Sequence, residues 1–109
     1  MMEGRLLIKH AVGGRTFLDS AKTPVPFVVR ERAGGGWSFE AQVPSGPAIA
    51  ELLKWKRELN LFVFEEHLQP VVKHWFYVEP DAVAYAEATG TLRLGASSKL
   101  DYVPDQFSW

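Results

Sequence analysis

The feature that most constrains the fold is a run of three glycines between two β-like segments. FVVRERA precedes Gly34, Gly35 and Gly36, and the segment WSFEAQV, which follows them, alternates between apolar and polar side chains. Such alternation places apolar side chains on one face of a strand and polar side chains on the other. Glycine reaches the positive φ angles of tight turns without steric cost. The sequence therefore predicts an antiparallel hairpin with one buried face, tipped by the glycines.

Further β-like segments bounded by turn signals lie on both sides of this hairpin. RLLIKHAV and RTFLD flank Gly13 and Gly14, which predicts a first hairpin. LFVFEE and VVKHWFYV flank Pro70, and the mixed pattern of the second segment is typical of a strand buried on both faces. AVAYAEA and TLRLG form either one bulged strand or a tight hairpin, and a short last strand is expected at 100–103.

One segment, PSGPAIAELLKWKRELN, changes its period. Its apolar residues recur every three or four positions, Ser45 can cap a helix, and Pro47 suits a first turn. This pattern predicts an amphipathic helix over about 46–59, with Asn60 as a plausible stop. The whole chain is thus predicted to be mainly β (α+β), an antiparallel β-sandwich or small barrel of seven or eight strands with one flanking α-helix.

Length and composition favour one domain that carries more aromatic residues than its core needs. The 109 residues are the usual length of a single hydrophobic core, so residues 1–109 are expected to form one domain. Four Trp and seven Phe exceed the usual requirement of such a core, and aromatic residues are favoured at protein interfaces. Phe107 and Trp109 make residues 104–109 a candidate docking tail.

Charge and apolar content argue against several classes of partner. The net charge is −1, so binding of nucleic acid is not expected. No stretch approaches the ~20 apolar residues of a membrane helix, and the N-terminal apolar window is too short for a signal peptide. We therefore expect a protein that is made in the cytoplasm and has no membrane contact.

Two histidines and two glutamates lie in one short window of sequence. His67, His74, Glu65 and Glu66 have side chains that can bind metals, but their spacing matches no helical zinc motif. A turn at Pro70 would bring the two histidines together across neighbouring strands. The alternative is a solvated acidic strand end and a hydrogen-bonded or half-exposed imidazole, and no metal site is expected.

The other catalytic signals are weak. No serine lies in a nucleophile-elbow pattern, no cysteine is present, and the triple glycine is not followed by the Lys and Ser/Thr of a phosphate-binding loop. We expect neither a cofactor nor enzymatic activity.

Lys54, Lys56 and Arg57 form a basic cluster in the predicted helix. Such a cluster is either a solvated helix face or a contact for an acidic or phosphorylated partner. We include it among the candidate interface residues, together with the three glycines of the hairpin tip and the aromatic tail.

The layout of hairpins, with one helix after WSFEAQVPSG and a closing half that reads FYVEPDAVAYAEATGTLRLGAS, resembles small virion proteins of tailed phages. These are tail-tube, head–tail connector or decoration proteins. The resemblance implies a β-sandwich or barrel without cofactor or catalysis, located in the virion. It also implies that Gly34, Gly35 and Gly36 tip an assembly hairpin and that Phe107 and Trp109 form an anchor between subunits.

These observations favour a non-enzymatic structural protein that forms homo-oligomeric contacts. The alternative is a small monomeric module, such as an immunity protein, an inhibitor or an accessory factor, that binds another protein. Fold alone does not decide between them.

Overall fold

The computed structural model describes residues 4–68 and 70–103. Its elements are β1 (Arg5–His10), β2 (Thr16–Asp19), β3 (Phe27–Glu31), β4 (Trp37–Gln42), α1 (Pro47–Lys54), β5 (Leu59–Glu65), β6 (Val72–Val78), a 3₁₀ turn (Pro80–Ala82), β7 (Ala84–Ala86) and β8 (Thr91–Tyr102). None of the helices in these residues is long and apolar enough to cross a membrane.

All eight strands belong to one antiparallel sheet. The order is β2-β1-β5-β6-β8-β4-β3, and β7 pairs with β8 beside this path. The sheet curls into a half-barrel, so the prediction of a mainly β fold with one helix is confirmed. A single curled sheet is closer to the barrel alternative than to two stacked sheets.

Both hairpins that the glycines predicted are present, as β1–β2 and β3–β4. Gly36 shows why glycine is needed at the second turn. Its φ is +85°, and a Cβ atom there would lie 2.5 Å from the carbonyl oxygen of Ala96. A side chain at this position would therefore strain the backbone and push β4 away from β8.

The alternatives left open for the C-terminal third are resolved as one hairpin and one long strand. β7 and β8 pair antiparallel, with Ala86 opposite Thr91. The short strand expected at 100–103 is not separate, because β8 continues through Tyr102.

A bulge in β8 reverses which side chains face the core. The register against β6 shifts between Tyr77, which lies opposite Ser98, and Val78, which lies opposite Ala96. Ser97 is thus an extra residue, and a one-residue shift exchanges the two faces of a strand. Before the bulge even-numbered residues such as Leu94 point into the core. After it, even-numbered residues such as Leu100 point away from the core.

The predicted helix over about 46–59 is too long. Helix α1 ends at Lys54, where the N–H of Trp55 donates to the carbonyl of Glu51, and a turn follows in which the N–H of Glu58 donates to the carbonyl of Trp55. Leu59 fits the helical spacing in the sequence, but it lies opposite His10 in the β1–β5 ladder. The pairing of β5 with its neighbours thus outweighs helical periodicity in this segment.

The core occupies the inner face of the sheet. It contains one apolar cluster to which β1, β4, β5, β6 and β8 contribute, and Ile49 and Leu52 of α1 join it. Phe76 and Phe39 meet edge to face near the centre, with ring centroids 4.7 Å apart. We call the opposite side of the sheet the outer face.

Candidate functional site

The outer face has two halves of different composition. The polar half consists of β3, β4, β7 and residues 91–96 of β8. The aromatic half consists of β1, β5, β6 and residues 97–102 of β8. Its outward side chains are the apolar or aromatic residues Leu7, Phe62, Phe64, Trp75, Tyr77, Leu100 and Tyr102 and the polar residues Arg5, Lys9, Asn60, Lys73 and Ser98.

Strand register places these outward side chains side by side. Leu7 lies opposite Phe62, Phe62 opposite Trp75, and Trp75 opposite Leu100. Leu7 and Phe62 are buried, yet neither belongs to the core cluster. The aromatic half is therefore a second apolar layer, separated from the core by the sheet itself.

The rings of the aromatic half support one another. The ring centroids of Phe62 and Trp75 are 5.9 Å apart, and those of Trp75 and Tyr77 are 5.7 Å apart. Nε1 of Trp75 donates to Oδ1 of Asn60 over 3.3 Å. These contacts hold the indole in one orientation and present a fixed aromatic surface.

A lysine lies at the centre of one group of rings. Nζ of Lys73 is 4.3 Å from the ring centroid of Phe62, 5.1 Å from that of Phe64 and 5.4 Å from that of Tyr102. Aromatic faces carry partial negative charge and attract cations at these distances. Lys73 therefore adds a positive charge to the aromatic half without interrupting its apolar surface.

A bidentate ion pair closes the aromatic half at β1 and β2. Nε and Nη2 of Arg5 donate to the two carboxylate oxygens of Asp19 over 2.9 and 2.7 Å. The hydrogen bond from Arg5 lowers the pKa of Asp19, and the N–H of Ala21 adds to this effect, while desolvation opposes it. The pair fixes the junction of β1 and β2 and leaves little free charge there.

Two apolar side chains of the aromatic half remain exposed to solvent. Tyr77 is 47% exposed and Leu100 is 49% exposed. They lie close together on β6 and β8, next to the partly buried Trp75. Exposed apolar surface of this kind is typical of contact sites for other macromolecules.

A polar cluster lies on the inner face, beyond the core. Nδ1 of His74 is 2.6 Å from Oδ1 of Asp101, and Nε2 of His74 is 3.0 Å from Oε2 of Glu65. Lys99 forms an ion pair with Asp101. Partial burial raises the pKa of Asp101, but the hydrogen bonds from Lys99 and His74 outweigh it and hold that pKa below its usual value. The hydrogen bonds of His74 to Glu65 and Asp101 tie β5, β6 and β8 together.

The two histidines of the short sequence window lie in different environments. His74 is buried and binds Glu65 and Asp101, whereas His67 and Glu66 are exposed in the turn after β5. Within residues 4–68 and 70–103, no three His, Cys, Asp or Glu side chains form a group that could hold a metal ion. The hydrogen-bonded imidazole, the alternative weighed from the sequence, describes His74 correctly.

A shallow depression lies beside the 3₁₀ turn, lined by Val78, Glu79, Pro80, Asp81, Ala82 and Ser97. At its edge, Nη2 of Arg32 is 2.9 Å from Oε1 of Glu79 and donates to the carbonyl of Ala96. These contacts anchor the β3–β4 hairpin to β8. Arg32 therefore has a structural role.

The three glycines of the predicted interface lie at the turn of the β3–β4 hairpin. Gly34 and Gly35 are exposed at the tip of the β3–β4 hairpin, as expected, whereas Gly36 is buried against β8. Phe107 and Trp109 lie outside the described residues.

The basic cluster does not form a helix face. Lys54 is the last residue of α1, and its Nζ lies 5.3 Å from the ring centroid of Trp55. Lys56 and Arg57 lie in the turn that follows, so the expectation that all three occupy the helix is wrong. The cause is the early end of α1 at Lys54.

The aromatic half was not among the interaction surfaces predicted from the sequence. A signal was present, because LFVFEE and VVKHWFYV carry apolar residues at both parities. Both faces of β5 and β6 are indeed apolar, but no second layer of the described chain covers the outer one.

A scan against protein-family models found no match, and searches of curated proteins and of solved structures also found none.

Proposed function

We propose that this protein is a non-enzymatic assembly protein whose copies associate through the aromatic half of the outer face. The observation that carries this proposal is the exposure of Tyr77 and Leu100 beside a rigid layer of rings that no other part of the described chain covers. Covering a sheet face of this composition with a second apolar surface is favourable, because apolar area is removed from water.

A second copy of the same chain is a suitable occupant on grounds of charge. The net charge is only −1, so two copies repel each other weakly. Within the aromatic half, Arg5 is paired with Asp19, and Lys73 lies over aromatic rings. Lys9 lies near the β1–β2 turn at one end of the surface. An apolar surface with a small net charge can pack against its own copy without bringing many like charges together.

The virion of a tailed phage is the proposed setting of this assembly. It is supported by the similar layout of hairpins and one helix, and by the exposed tip of the β3–β4 hairpin at Gly34 and Gly35. The glycine tip and the aromatic residues Phe107 and Trp109 are then further contacts between subunits.

The test is the absolute mass of the protein in solution over a concentration series, by light scattering on a sizing column. The wild-type mass is expected to rise with concentration to that of a discrete oligomer. Tyr77→Glu places a charge on the aromatic half and should raise the concentration needed for association about tenfold or more.

Val12→Glu is the matched control. Val12 is 65% exposed in the β1–β2 turn, away from the aromatic half, so this variant adds the same charge and should associate as the wild type does. A single-chain mass at every concentration would contradict the proposal and favour a monomeric module that binds another protein. Equal effects of the two variants would remove the aromatic half as the contact.

A further inference from the structure

We propose that two copies of the chain pair edge to edge within the stretch 97–101 of β8, antiparallel about a two-fold axis at Leu100, so that residues 99–101 of one copy lie opposite residues 101–99 of the other. This inference rests on the proposed function and specifies one contact of the assembly. It predicts a sheet that continues from one copy into the other.

An unpaired stretch of β8 makes this contact possible. Residues 91–96 of β8 pair with β4 on one edge, and β7 lies along the other edge at residues 91–93. Residues 98–101 pair with β6 and Ser97 is the bulged residue, but β4 begins at Trp37, opposite Ala96, and no described strand continues along that edge. Their outward backbone N–H and C=O groups are therefore available to an added strand.

The two terminal strands of the sheet are less suited to this pairing. β2 has four residues and packs against α1. β3 follows Pro24 and Pro26, and a proline has no N–H to donate to an added strand. The free stretch of β8 is neither covered by a helix nor next to a proline. It does carry a bulge at Ser97 and the inward-facing charges of Lys99 and Asp101, which have opposite signs.

The charge pattern of β8 selects a second copy as the added strand. An antiparallel register centred on Leu100 places Lys99 of each copy opposite Asp101 of the other, so two pairs of opposite charges form. A protective edge usually carries exposed charge of one sign, which repels a copy of itself. Here Lys99 and Asp101 already form an ion pair within one chain, and pairing would join the two ion pairs into a group of four charges.

The same register on β3 has no such complementarity. Centred on Val29, it would place Arg30 opposite Val28 and Glu31 opposite Phe27, which leaves both charges beside apolar side chains. Charge complementarity thus separates the β8 edge from the β3 edge, although both are free in the described chain.

The outer face of the pair supplies the apolar contact. Leu100 of one copy lies opposite Leu100 of the other. Each side chain covers part of the other, which is 49% exposed in a single copy. Because Leu100 adjoins Trp75, the aromatic halves of the two copies become one continuous surface. Edge pairing and burial of the aromatic half are therefore compatible parts of one assembly.

Disulfide trapping tests the contact directly, because the natural chain contains no cysteine. In Leu100→Cys, the two thiols lie directly across the two-fold axis. Residues opposite each other in an antiparallel pair have Cα atoms about 4.5–5.5 Å apart, which is within the range of a disulfide. Under mild oxidation this variant should form a covalent dimer about tenfold faster, or more, than a cysteine that relies on chance encounter.

Two control variants distinguish this contact from others. Val12→Cys places the thiol at an exposed residue of the β1–β2 turn, away from both the aromatic half and β8. Ser98→Cys lies on β8 itself, two residues from the axis, so its two copies would be about 13 Å apart in the proposed register. Both controls should cross-link slowly.

Each outcome of the trapping experiment has a definite reading. Fast dimerisation of Leu100→Cys alone supports the proposed register. Equal rates for Leu100→Cys and either control overturn it. If Leu100→Cys is slow while the wild-type mass still rises with concentration, edge pairing is wrong and the assembly function stands; if the wild-type mass never rises, the assembly function itself fails.

Discussion

The polar and aromatic halves of the outer face lie on the same sheet but are stabilised differently. On the polar half, Glu40 and Arg93 lie opposite each other, 3.4 Å apart, and both are well exposed. On the aromatic half, Phe62 is buried by neighbours on its own face, including Trp75 and the side chain of Lys73. The backbone pairing is antiparallel in both halves, so side chains alone account for the difference.

The polar half can form its hydrogen bonds with water, whereas the aromatic half keeps apolar surface in contact with water. Exposed polar side chains such as Gln42, which donates to Oγ1 of Thr91 over 3.2 Å, need no covering layer. Apolar rings on an outer face bury one another only in part, and the remainder stays in contact with water. The exposed surfaces of Tyr77 and Leu100 are this remainder, which is why we place the assembly contact there.

The largest expected effect is on the stability that the aromatic half gains from its own packing. Phe62→Ala should lower the free energy of unfolding by roughly 2–4 kcal/mol, because Phe62 is buried between Leu7, Trp75 and Lys73. Arg93→Ala on the polar half should change it by less than about 0.5 kcal/mol. Urea unfolding of both variants measures the difference. Equal losses would show that the two halves do not differ in packing.

The second expected effect concerns the ion pairs of the two halves. Asp19→Asn removes the negative charge and one of the two acceptor oxygens of a largely buried bidentate pair, and should cost about 1–3 kcal/mol at neutral pH. Glu40→Gln breaks the exposed pair with Arg93 and should cost nearly nothing.

The pH dependence of the same variants sharpens this prediction. The pKa of Asp19 in the folded protein lies below its ordinary value of 3.8, so its ionised form stabilises the fold above that pH, and this stabilisation is lost as the pH falls through the folded value. Urea unfolding at neutral and acidic pH should therefore show a smaller difference between wild type and Asp19→Asn in acid. An undiminished difference would mean that the charge of Asp19 does not contribute.

Local patterns in the sequence were enough to predict most of the fold. The triple glycine and the alternation of WSFEAQV predicted β3 and β4, and the change of period predicted α1. The C-terminal limit of the helix was not predictable in this way, because Leu59 satisfies helical spacing and strand pairing equally well. Only its position opposite His10 in the β1–β5 ladder decides the matter.

The candidate surface was less predictable because it depends on register. The mixed pattern of VVKHWFYV indicated two apolar faces but not that one of them lacks a cover. The outward position of Leu100 depends on the bulge at Ser97, since without that extra residue the alternation of β8 would point Leu100 into the core. A bulge of this kind leaves no distinct mark in a sequence.

The smallest expected effect on stability belongs to the side chains that we assign to assembly. Tyr77→Thr and Leu100→Thr replace exposed side chains by one that suits strands, so each should change the free energy of unfolding by less than about 0.5 kcal/mol. Urea unfolding at low protein concentration isolates this effect from association, and light scattering at high concentration should then show weakened assembly in both variants. The contrast with Phe62→Ala separates the two roles of the aromatic half. If either threonine variant loses about 2 kcal/mol of its free energy of unfolding, these side chains stabilise the fold of a single chain rather than contacts between chains.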